Sequence, residues 1–98
     1  MLSTGIIEPA ASEIWDSNYF CLTYFLYRMD KSIEDFDKAI ELDTQNSIIY
    51  SNRGLVNRKL ERFEKAIEDY TNEIKYGPPN NIKAFNNRAY CSAKLGQY

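Results

Sequence analysis

Fourteen aspartates and glutamates, twelve lysines and arginines, two cysteines and no histidine are the residues in this 98-residue chain that could do chemistry. Paired carboxylates can act as general acid and base. Here Glu34, Asp35, Asp37, Glu41, Glu64, Glu68, Asp69 and Glu73 fall among apolar residues spaced three and four apart, so they are expected as the solvated faces of amphipathic helices. Cys21 and Cys91 are far apart and have no partner at CxxC spacing, which with no histidine leaves neither a zinc nor a haem arrangement. Both read as small buried hydrophobes in a reducing compartment. No phosphate loop, GxSxG or HExxH is present. Catalytic residues, metal ligands and cofactors are therefore not expected, and the chain reads as a non-enzyme.

The remaining chemistry is binding. Ser47 to Leu60 and Ile82 to Leu95 contain Arg53, Arg58, Lys59, Lys83, Arg88 and Lys94 without one acid, although the whole chain has a net charge of −2. A locally basic surface on an acidic particle favours an acidic ligand, while the overall balance disfavours nucleic acid. Asn52 and Asn87 lie two residues after the aromatics Tyr50 and Phe85. An amide that both donates and accepts can hold an extended peptide backbone without reading its side chains.

Those residues need elements to position them. Apolar residues step by three and four from Ile33 through Phe36, Ala39 and Ile40, and again from Tyr50 to Ile74. Breaks fall at Asp43-Thr44-Gln45-Asn46-Ser47, at Glu61-Arg62 and at Gly77-Pro78-Pro79-Asn80-Asn81. The spacing predicts an all-α chain of about five helices, near 13 to 27, 31 to 43, 47 to 59, 63 to 76 and 82 to 95. Residues 1 to 12 read as an irregular lead-in, with Ser12 a candidate N-cap. They lack the basic start and apolar core of a secretory signal, and no stretch reaches the roughly 18 apolar residues of a membrane span. A cytoplasmic or nuclear setting is the expectation, with no membrane partner.

The chain repeats itself. "SIEDFDKAIELD" from Ser32 returns as "AIEDYTNEIKYG" from Ala66, 34 residues on, and Tyr50-Ser51-Asn52-Arg53-Gly54 returns as Phe85-Asn86-Asn87-Arg88-Ala89, 35 residues on. The extra residue is absorbed in the Gly-Pro-Pro-Asn-Asn loop, where it disturbs no helix.

This period and these slots resemble the tetratricopeptide repeat (TPR), whose pattern is W-x2-L-G-x2-Y, then A-x3-F, then P. Tyr50 takes the tryptophan slot, Gly54 the glycine, Ala66-x3-Tyr70 the A-x3-F pair and Pro78 the proline. Departures are Arg53 and Arg88 at the leucine, Asn57 and Ser92 at the tyrosine, and Thr44 at one proline. The resemblance covers residues 13 to 98, as units of about 13 to 46, 47 to 81 and a partial 82 to 98. In the first unit either Phe20 or, with a one-residue deletion, Cys21 takes the small slot. Trp15 is expected beneath the first helix pair.

The resemblance implies a right-handed solenoid of antiparallel helix pairs and a non-catalytic adaptor or scaffold that holds a partner's peptide, acidic or extended, in a concave groove. Gly54 would face Ala66, with Tyr50, Phe63 and Tyr70 plugging the joints. First helices would line the groove, which places Ser51, Asn52, Leu55, Arg58, Lys59, Lys83, Asn86, Asn87, Tyr90 and Lys94 at the peptide. Asn18 joins them only in the ungapped register. Asn52 and Lys83 also occupy slots of the carboxylate clamp of some relatives, but Asn87, Ser17 and Cys21 depart from it. Arg53 and Arg88 are expected as packed stems whose guanidinium pairs with a neighbouring helix's acid. The alternative is self-assembly into a homo-oligomer through Phe85, Ala89, Leu95 and Tyr98, since no partner helix follows them and a solenoid needs a polar cap. A fragment of a longer array is the other account of that open end.

Overall fold

The computed structural model describes residues 17–96. These form four helices and no strand: α1 Ser17–Leu42, α2 Ser47–Lys59, α3 Phe63–Tyr76 and α4 Ile82–Gly96. The expected lead-in over residues 1 to 12, the Ser12 cap, Trp15 and Tyr98 lie outside the described residues, as do the side chains of Ser17, Asn18 and Phe20.

Two of the five expected helices are one. The break expected between 27 and 31 does not occur: the helix runs on through Tyr27-Arg28-Met29-Asp30-Lys31. Pairs one turn apart bridge it instead. Arg28 donates to the Tyr24 hydroxyl at 3.1 Å, Lys31 lies 5.9 Å from the Tyr27 ring centroid, and Lys31 meets Glu34 at 3.6 Å. Each such pair adds a few tenths of a kcal/mol to the helix, with no breaker to oppose it. Leu22, Tyr24, Phe25, Leu26 and Tyr27 are all exposed, and Cys21, expected to be buried, is exposed with them.

The other boundaries follow the expected breaks. Asn46 caps α2, its Oδ1 accepting from the Ile48 amide at 3.0 Å. Glu61 turns the chain between α2 and α3 in the left-handed region, with φ 60°, and lets the Arg62 amide reach the Asn57 carbonyl at 2.8 Å. Pro78 and Pro79 stop α3, and Asn81 restarts the chain: its Oδ1 accepts from the Ala84 amide while its Nδ2 donates to Glu73 of α3 at 2.9 Å.

Consecutive helices run antiparallel. Tyr50, Gly54 and Asn57 of α2 meet Tyr76, Tyr70 and Asp69 of α3 in reverse order. Asp30 and Asp37 of α1 meet Arg62 and Arg53 in the same sense. The core lies between α2, α3 and α4, where Phe63, Ala66, Tyr70 and Cys91 pack together with Ile67 at their edge. Tyr50, Phe63 and Tyr70 plug the joints as expected, at 7%, 5% and 0% exposure. At Gly54 the nearest atoms come from Tyr70 and Asp69, not from the expected Ala66: a Cβ there would stand 3.0 Å from Tyr70 Cε1 and 3.2 Å from Asp69 Cβ. The glycine admits an aromatic ring against the helix backbone.

Candidate binding site

Two polar centres flank this core. The first lies where α2 ends and α4 runs past it. Arg58, Lys59, Tyr90 and Lys94 line a cavity of about 270 Å³ together with Glu61 and Phe63. Tyr90 holds the cations close. Arg58 Cζ lies 5.2 Å and Lys94 Nζ 5.6 Å from its ring centroid, so the π face offsets part of their repulsion. With three cations and one carboxylate in the lining, the cavity suits an anionic group.

Four of the ten residues expected at a bound peptide are thus gathered in one place. The other six are spread along the same two helices, outside this lining. Asn52, Leu55, Lys83 and Asn86 are exposed, while Ser51 and Asn87 are half-buried. Glu61 and Phe63 belong to the site and were not expected there. Both follow directly on α2, and the close Glu61-Arg62 turn is the sequence signal that carries them to its end.

The second centre was read differently from the sequence. Asp69 and Glu73, expected as solvated carboxylates, are buried, at 1% and 7% exposure. Arg53 crosses from α2 to two helices at once. Its Nε and Nη2 donate to Asp69 of α3, the shortest contact being 2.7 Å, and its Nη1 donates to Asp37 of α1 at 2.8 Å. Asn57 Nδ2 donates to the other oxygen of Asp69 at 2.9 Å. Burial alone would lower the Arg53 pKa, but the two carboxylates more than offset it and hold the guanidinium above its ordinary value. Arg53 and Asn57 stand where the repeat pattern has leucine and tyrosine, so an ionic network replaces an apolar contact. The expectation that the Arg53 guanidinium pairs with a neighbouring helix's acid holds. Asp69, 16 residues later, was legible only as part of a helix surface.

Between the two centres, burial pushes the Tyr70 phenol up, with the charge of Arg58 opposing it. The Cys91 thiol is pushed up for the same reason, again against Arg58. Both groups are favoured in their neutral forms by the fold, so their contribution is complete below the ordinary values of 9.0 and 10.0 and is lost as pH rises through the raised ones. Melting temperature should therefore fall in alkali, and Tyr70→Phe with Cys91→Ala should flatten that fall. Thermal scans between about pH 8 and pH 12 test it; an unchanged alkaline slope in the double variant removes these two groups from the account.

Comparison with known proteins is consistent with the internal repetition. The family model described as tetratricopeptide repeat matches residues 25–46 and 48–72. The first match begins inside α1 and the second covers α2 with most of α3. No curated protein matches the chain.

Proposed function

From the premise that this chain carries two tetratricopeptide repeats, the unit of a family of protein–protein interaction modules, we propose that it is a non-catalytic module binding an acidic peptide of a partner protein across α2 and α4. The observation that carries this reading is the cluster of Arg58, Lys59 and Lys94 around Tyr90. α2 and α4 have no acid of their own between Ser47 and Leu95, so nothing on either helix neutralises an incoming carboxylate. Arg58 is half-buried, whereas Lys59 is exposed and carries its charge on a flexible four-carbon stem.

Along the same two helices Asn52 and Asn87 would hold the peptide backbone, with Lys83 near the start of α4 offering a further cation. Leu55, 37% exposed, supplies an apolar contact beside them. The bound segment would thus be extended, with an acidic side chain or chain terminus at the Tyr90 end.

Titration with a fluorescein-labelled poly-glutamate decapeptide tests the charge component. Lys59→Glu with Lys94→Glu should weaken binding at least about tenfold, and wild-type affinity should fall steeply with salt. Asn52→Ala with Asn87→Ala should weaken a mixed acidic peptide without changing the salt slope. Equal affinity of wild type and the Lys59→Glu, Lys94→Glu variant would overturn the reading.

A further inference from the structure

The Tyr90 cavity carries more positive charge than one carboxylate can match. Arg58, Lys59 and Lys94 stand in its lining against a single acid, Glu61, which leaves a surplus of two positive charges. No ion pair among the described residues neutralises it. Lys31, Arg53 and Arg62 each meet an aspartate or glutamate within 3.6 Å, but none of the three cavity cations does. Glu61, though it lines the same cavity, pairs with none of them.

Tyr90 keeps these like charges together, with Arg58 Cζ and Lys94 Nζ at 5.2 and 5.6 Å from its ring centroid. Arg58 is also seated at the edge of the core, where its charge opposes the upward shifts of Tyr70 and Cys91. A half-buried guanidinium with a planar fork of donors, set beside two ammonium groups, suits an oxyanion with several acceptor oxygens. A carboxylate brings one charge and two oxygens. A phosphate monoester brings about −1.5 to −2 near pH 7 and three strong acceptor oxygens, which matches the surplus. The cavity, about 270 Å³, has room for it, since one water takes only about 30 Å³ of liquid.

Resting on the reading of α2 and α4 as a peptide-binding surface, we propose that the group seated at Tyr90 is a phosphorylated serine or threonine side chain of the partner peptide. Lys59 and Lys94 neutralise its two charges, and the guanidinium of Arg58 takes its oxygens. Phosphorylation of the partner then switches the interaction on. An anionic lipid headgroup offers the same chemistry, but the chain's own net charge of −2 opposes its approach to an anionic surface.

The chain has no histidine, so no side chain of ordinary pKa on it titrates between about pH 5.5 and 7.0, whereas the second phosphate ionisation, near pH 6, falls inside that window. Calorimetric titration of the full chain compares one otherwise neutral decapeptide carrying phosphoserine, glutamate or serine at its centre. At pH 7.0 the phosphoserine version should bind about tenfold more tightly than the glutamate version, and the serine version more weakly than either. On going to pH 5.5 the phosphoserine affinity should fall about threefold while the glutamate affinity stays level. Lys59→Gln with Lys94→Gln should remove both the preference and its pH dependence. Equal affinity for the phosphoserine and glutamate versions overturns this proposal and leaves the acidic-peptide reading standing; failure of both to bind overturns both. A phosphoserine affinity that is level across the window, a preference that survives in the double glutamine variant, or tighter binding to vesicles containing phosphatidylinositol 4-phosphate than to the phosphoserine peptide would also overturn it.

Discussion

Replacing Asp69 by alanine should cost about 3–5 kcal/mol of stability, the magnitude of breaking a buried ion pair from one side. The carboxylate is 2% exposed and takes hydrogen bonds from both Arg53 and Asn57. Its loss leaves a partly buried guanidinium and a buried amide with no acceptor between α2 and α3. Asp37 provides the internal control, because it contacts the same arginine at 2.8 Å but is 53% exposed. Asp37→Ala should therefore cost less than about 1 kcal/mol. Urea unfolding followed by circular dichroism compares them. If the two alanine variants unfold at the same midpoint, burial is not what gives the network its weight. Replacing Arg53, Asn57 and Asp69 together by Leu, Tyr and Leu should recover much of the loss, since a matched apolar cluster avoids desolvating the ions.

The second large effect is expected at Tyr70. Truncation to alanine should cost about 3–5 kcal/mol, because the ring is fully buried and its removal opens a cavity beside Phe63, Ala66 and Cys91. The same ring makes Gly54 intolerant of a side chain. Gly54→Ala, whose Cβ would stand 3.0 Å from Tyr70 Cε1, should cost about 1–3 kcal/mol in wild type. In the Tyr70→Ala background the added methyl meets no ring, and alanine's better helix propensity should make the substitution neutral or favourable. A thermodynamic cycle of the two single variants and the double variant measures this. Additive costs would mean that the ring does not set the identity of residue 54.

Much of this arrangement was written locally. Asn46, Gly77-Pro78-Pro79 and Asn81 end or start helices through their own backbone chemistry, so the bounds of α2, α3 and α4 were accessible from sequence. The 34- and 35-residue echoes exposed the pairing of helices for the same reason. The continuity of α1 was not accessible that way: the expected helices at 13 to 27 and 31 to 43 implied a turn between them, whereas Tyr27 to Lys31 continues as helix with side-chain pairs one turn apart along it. Charge was the harder case. Helical spacing places Asp69 beside Tyr70 at the margin of the apolar stripe, and only the arrival of Arg53 from another helix decides that the carboxylate is inside. The Tyr90 cluster was legible residue by residue, but its convergence with Glu61 and Phe63 depends on how α4 crosses the end of α2.

The unbroken run of α1 separates two kinds of surface in electrostatic terms. The outermost described ion pair to its neighbours is Asp30 with Arg62, at 3.1 Å, and Leu22 lies eight residues further out. At 1.5 Å per residue that is roughly 12 Å along the axis, beyond the Debye length of about 8 Å at physiological ionic strength. Contacts made by the uncharged side chain of Leu22 should be nearly indifferent to added salt, while anything held by Arg58, Lys59 and Lys94 loosens. Ionic strength alone can then release a ligand from the cationic end and leave one gripping the apolar arm in place.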